Sequence, residues 1–123
     1  MSRQTNAIQS LTTSLRQLPL FSSSRRGSEE EEVQLYVKRA LRAAAEERYD
    51  VALVFCEKAL LAAPGNLAAR LLAGRLYDHV YEDVDRAVAA YRKVITLAGY
   101  DSSDPYCSAA REALDALVKD TEE

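Results

Sequence analysis

The sequence predicts an all-α protein, a helix-turn-helix repeat solenoid of about two hairpins closed by a capping helix. Three observations lead there. Alanine, leucine, glutamate and arginine dominate, while the 123 residues hold only 4 glycines and 3 prolines, a composition that favours helix. Apolar residues recur three and four apart along most of the chain, the period of one helical face. Finally, one pattern returns. In "YDVALVFCEKALLAAPGN" (49–66), Ala52, Cys56, Ala59 and Pro64 are spaced 4, 3 and 5 apart; in "VDRAVAAYRKVITLAG" (84–99), so are Ala87, Tyr91, Val94 and Gly99, 35 residues later. A repeat of this length is a helix pair that cannot bury its apolar face alone, so neighbours stack.

The elements follow in order. Residues 1–28 form a basic, serine- and threonine-rich arm. Within it "NAIQSLTTSLRQL" places Ile8, Leu11, Leu15 and Leu18 on one face of a short amphipathic helix. That helix is marginal in isolation and needs a surface to pack on. "PLFSSSRRGS" then breaks the pattern and acts as a linker. The helical domain spans 29–120, with a tail at 121–123. Ser28 with Glu31 forms a capping box, and "EEEE" at 29–32 suits a helix start. The first helix runs to about Glu47 and "EERYD" turns the chain. The second spans about Asp50 to Ala63 and stops at "PGN", where Asn66 caps the third. The third reaches about Val80. Asp83 caps the fourth, "AGYDSSD" is a loop, and Asp104 caps a fifth helix with Pro105 at its first position.

Charge and cysteine usage narrow the function. The net charge is −3, yet residues 1–28 carry Arg3, Arg16, Arg25 and Arg26 and no acid, so all 19 acidic residues lie in the body. An acidic body argues against nucleic acid as a partner. Cys56 and Cys107 form no disulfide framework and suit a reducing compartment. No apolar run approaches a membrane span, and "LPLF" at 18–21 is too short for a signal-peptide core. A cytoplasmic location is expected. The alternative is import into an organelle through the arm, whose composition is that of a transit peptide.

No catalytic constellation stands out, and neither enzyme activity nor a cofactor is expected. The sole histidine, His79, sits in "DHVYED" with Asp78, Glu82 and Asp83. That stretch is better explained as a solvated turn with capping acids than as a metal site. Cys56 lies on the packing face of its helix, as a small buried hydrophobe. Cys107 falls in a first helical turn, with no base visible beside it. In "RRGS" two arginines precede Ser28, a pattern resembling a site for basophilic kinases.

The repeat resembles the tetratricopeptide family, whose helix A carries an aromatic, a leucine-glycine pair and a tyrosine, and whose helix B carries alanine, an aromatic, alanine and a following proline. Tyr36, Ala40 and Ala43 take the helix A positions of the first repeat, and Ala52, Cys56, Ala59 and Pro64 those of helix B. In the second repeat Gly74 and Tyr77 fit, Arg70 departs from the opening aromatic, Ala87, Tyr91 and Val94 fit, and Gly99 replaces proline. One extra residue near 80–84 accounts for a step of 35 in place of 34. The resemblance covers about 33–99, with 105–119 as the capping helix. The alternative is an unrelated alanine-rich bundle.

What this resemblance implies is binding of a peptide or amphipathic helix on a concave groove lined by the A helices. The matching positions are Gln34, Val37, Lys38, Leu41 and Ala45, then Leu71, Arg75, Asp78 and His79. Family members that clamp a C-terminal carboxylate use lysine and asparagine where this chain has Val37 and Leu41, so that mode is not expected. For Val37, Leu41 and Leu71 ordinary helix packing is the competing role. The expected function is a small adaptor or assembly module with a protein or peptide partner. The alternative is a structural subunit of a larger complex. The arm is expected to dock in the groove of its own chain or of a neighbour, the latter giving self-association.

Overall fold

The computed structural model describes the backbone of residues 25–122 and the side chains of residues 28–120. The regular elements there are five α-helices: α1 (Arg25–Ala45), α2 (Tyr49–Ala62), α3 (Leu67–His79), α4 (Val84–Leu97) and α5 (Pro105–Glu122). The chain divides between Pro64 and Gly65 into two compact units. In the first, α1 packs on α2. In the second, α3 packs on α4, and α5 packs chiefly on α4 while touching α3. The expected all-α arrangement of two helical hairpins and a last helix is therefore present.

Local chemistry explains most helix ends. The Asn66 side chain accepts a hydrogen bond from the Ala69 amide at 2.9 Å, and Asp83 accepts from the Arg86 amide at 3.2 Å. Asp104 accepts from the amides of Tyr106 at 2.8 Å and Cys107 at 3.0 Å, with Pro105 opening α5. Each cap satisfies amides that have no partner within the helix. The start of α1 corrects the sequence expectation. The helix begins at Arg25, so Ser28 lies inside its first turn and is not the cap, and the acidic run follows that turn. Arginine is a good helix former, and Gly27 lowers helix stability by about 1 kcal/mol without removing a backbone donor. Nothing in "RRG" therefore stops the helix.

The two hairpins turn by related means. After α1, Glu47 takes a left-handed φ of 62°, the Arg48 amide donates to the Ala43 carbonyl at 2.8 Å, and the Glu47 amide donates to Ala44 at 3.1 Å. After α3 the turn occupies residues 80–83, one more than the 46–48 of the first turn. Glu82 supplies the left-handed residue there, with φ 52°. The extra residue expected near 80–84 is thus located. Past α4 the left-handed position falls to Gly99 (φ 68°), with Tyr100 N–H donating to Ile95 and Gly99 N–H to Thr96. This is a Schellman closure of the kind glycine favours.

Small residues line both hairpins. In the first unit Val33, Val37, Ala40 and Ala43 of α1 and Ala52, Cys56 and Ala59 of α2 are buried. At its edge the Tyr36 and Phe55 rings stack at 6.3 Å, with Arg39 over Phe55 and Lys58 over Tyr36. The core of the second unit joins Ala87, Tyr91, Val94 and Ile95 of α4 to Cys107, Ala110 and Leu117 of α5, with Leu71 and Tyr77 of α3 packed against it. Gly74 of α3 is where that packing is tightest. A β-carbon there would lie 2.8 Å from Cε1 and 3.0 Å from Cδ1 of Tyr91. The bare backbone of α3 is what lets the tyrosine ring approach that helix so closely.

Candidate functional site

The residues expected to bind a partner divide between the two units. On α1, Gln34, Lys38, Leu41 and Ala45 are half-buried on one face, three and four residues apart. Val37 on the same face is buried, 6% exposed, so its side chain offers little surface to a ligand. On α3, Arg75 and His79 are exposed. Leu71 is half-buried and packs on the core of the second unit.

Asp78 is already engaged. Its Oδ2 accepts the Tyr91 hydroxyl at 2.9 Å, and His79 Nε2 lies 3.6 Å from the same oxygen. Burial first, then the hydrogen bond to Asp78, raises the Tyr91 hydroxyl well above the ordinary tyrosine value. The phenol therefore remains a proton donor through neutral and mildly alkaline pH, and it ties α4 back to the C-terminal turn of α3. This pair is not legible in the sequence, since its members lie on different helices; a tyrosine destined for the core, whose hydroxyl needs a partner, is the signal that could have led to it.

The reactive side chains have structural places. Cys56 is fully buried, and burial chiefly, then the neighbouring Glu57, pushes its thiol up to about 12. It is a neutral core residue at physiological pH. Cys107 is fully buried in the α4–α5 core. In "DHVYED", Asp83 caps α4 and Asp78 holds Tyr91, so two of its three acids have local roles. Among the described residues no group of three or more histidine, cysteine or acidic side chains could hold a metal ion. No helix among them is long and apolar enough to cross a membrane. Ser28 is exposed within the first turn of α1, whereas Ile8, Leu11, Leu15 and Leu18 lie outside the described residues.

One surface escaped the sequence reading. Val80, Tyr81 and Val84, at the α3–α4 turn, are 37%, 44% and 39% exposed. The signal was available: valine and tyrosine stand where turns usually place glycine, asparagine or aspartate. Comparison with known proteins assigns neither surface, since no family model, curated protein or solved structure matches this chain.

Proposed function

We propose that the chain is a small tetratricopeptide-like solenoid that acts as a protein–protein interaction module, an adaptor or assembly factor holding a helix or peptide. One observation carries this reading. Small residues are buried at matching positions of two successive helical hairpins, Ala40, Ala52 and Ala59 in one and Gly74 and Ala87 in the other. Repeat hairpins of the tetratricopeptide kind use their first helices as a recognition surface. On this reading Gln34, Lys38, Leu41 and Ala45 of α1, with Arg75 and His79 of α3, meet the partner. Their mix of apolar and basic groups suits an amphipathic helix with an acidic flank. The function is binding and not catalysis, in the cytoplasm or, through the arm, in an organelle.

The second reading is a structural subunit of a larger complex. It is favoured by exposed apolar side chains scattered over both units, among them Leu61 at 85% and Tyr100 at 63%. Affinity capture with the full chain, followed by sizing of the captured species, separates the two. The adaptor reading expects a monomer that binds one helical segment of its partner in a one-to-one complex, weakened by Lys38→Glu and Arg75→Glu. Recovery only within a large assembly, with affinity unmoved by either substitution, would overturn it in favour of the subunit.

A further inference from the structure

The outer face of α1 changes sign along its length. Ser28, Glu31, Leu35, Arg39 and Arg42 follow one another at steps of three or four and are all exposed, so they form one row along the helix. Acid lies in its N-terminal half and two arginines in its C-terminal half, and between them Leu35 is 41% exposed. Glu31, Arg39 and Arg42 have no ion-pair partner among the described residues. Arg39 is nonetheless held in place. Its guanidinium lies over the Phe55 ring of α2, 5.8 Å from the centroid. The ring face answers part of the charge and leaves N–H donors of the guanidinium open to an acceptor. A side chain already so placed loses less freedom on binding. The row lies about a quarter turn from Gln34, Lys38, Leu41 and Ala45, so it is a different surface from the one proposed to hold a partner helix.

We propose that this row pairs with the same row of a second copy of the chain, the two α1 helices running antiparallel about a two-fold axis at Leu35. Glu31 and Arg39 stand four residues to either side of Leu35, about 6 Å along the helix. The axis therefore sets Glu31 of each copy at the level of Arg39 of the other, Ser28 at the level of Arg42, and Leu35 against Leu35. A parallel pair would set acid on acid and arginine on arginine, so charge selects the antiparallel one. Opposed helix dipoles favour it too. Residues 1–28 carry no acid that could answer Arg39 and Arg42, which makes Glu31 of a second copy a better match than the chain's own arm. One helix pair covers less than the roughly 1,600 Å² of a standard interface. The association is therefore weak and is lost at the low concentrations of an affinity capture. It does not rest on the partner-binding reading, and either can fail alone.

The test follows the full chain by sedimentation and by amide spectra over a concentration series from micromolar to millimolar. The expected result is a monomer that gives way to a dimer as concentration rises, with amide shifts centred on residues 28–42. Raising the salt concentration should weaken the dimer, because its ion pairs are exposed. Glu31→Arg and Arg39→Glu should each stay monomeric where the parent dimerises, with an unchanged helical spectrum. An equimolar mixture of the two should associate again, since one contact then joins the introduced arginine to the introduced glutamate and the other joins native Arg39 to native Glu31. Both variants stay net negative, because each substitution moves the charge of −3 by two, so overall attraction does not explain a restored complex. A monomer at every concentration would overturn the proposal. So would association that neither substitution changes, which would place the contact on another surface or on the arm. Two monomeric variants whose mixture is also monomeric would overturn it as well.

Discussion

In the first hairpin the positions matched by the repeat hold Ala40 on α1 and Cys56 on α2; in the second they hold Gly74 on α3 and Tyr91 on α4, and all four are buried. The first pair places a small buried side chain on each helix. The second concentrates the volume in one ring and strips the facing helix to backbone. Tyr91 adds a hydroxyl that must be satisfied in the interior, and Asp78 accepts it. The same supersecondary unit can thus be closed by an all-apolar contact or by one large side chain with a polar tether. The tethered version depends more heavily on individual residues.

That dependence orders the expected effects. Tyr91→Ala should be the most damaging change, since it empties the centre of the second core and leaves Asp78 without its donor. A loss of about 3–5 kcal/mol is expected from urea unfolding followed by circular dichroism. Gly74→Ala comes next. Alanine improves helix propensity by about 1 kcal/mol, yet its β-carbon would lie 2.8 Å from a fully buried ring. A net loss of about 1–3 kcal/mol is expected from overpacking; a stabilised variant would show that the ring can move. Tyr91→Phe keeps the ring and removes only the tether, so about 1 kcal/mol should be lost, with an unchanged helical spectrum.

The two turns offer a gentler comparison. Glu47 and Glu82 both adopt left-handed backbone without being glycine, a conformation costing roughly 1 kcal/mol or more for a residue with a β-carbon. Glu47→Gly should therefore stabilise the first hairpin by up to about 1 kcal/mol, seen as a higher unfolding midpoint. No gain would mean that the glutamate side chain compensates locally.

How far the sequence disclosed these features follows from their range. Caps such as Asn66, Asp83 and Asp104 are local, bonding to amides two or three residues ahead, and residue type alone located them. The extra residue of the second turn was legible because the repeat lengthens from 34 to 35 across it. The start of α1 lies ahead of the Ser28–Glu31 capping-box pattern because a single Gly27 weakens a helix by only about 1 kcal/mol and removes no backbone donor, too little to end it at 25–27. The left-handed glutamates were hidden, since nothing in their chemistry asks for positive φ; the hairpin closure imposes it. The candidate positions on α1 came from the resemblance to tetratricopeptide repeats; Gln34, Lys38, Leu41 and Ala45 lie half-buried, three and four residues apart. The burial of Val37 and the engagement of Asp78 by Tyr91 depend on packing between helices, which one helix's pattern does not contain.

The central claim is that the two hairpins are versions of one repeat whose facing positions compensate in volume. The most direct measurement installs the first hairpin's pair in the second. Gly74→Ala, Tyr91→Cys and the double variant are unfolded in urea beside the parent, giving the coupling between the two sites. The account predicts that Gly74→Ala destabilises the parent but stabilises the Tyr91→Cys variant, because without the ring the alanine finds space and improves the helix. Equal effects of Gly74→Ala in both backgrounds would show that the two positions are independent and would contradict it.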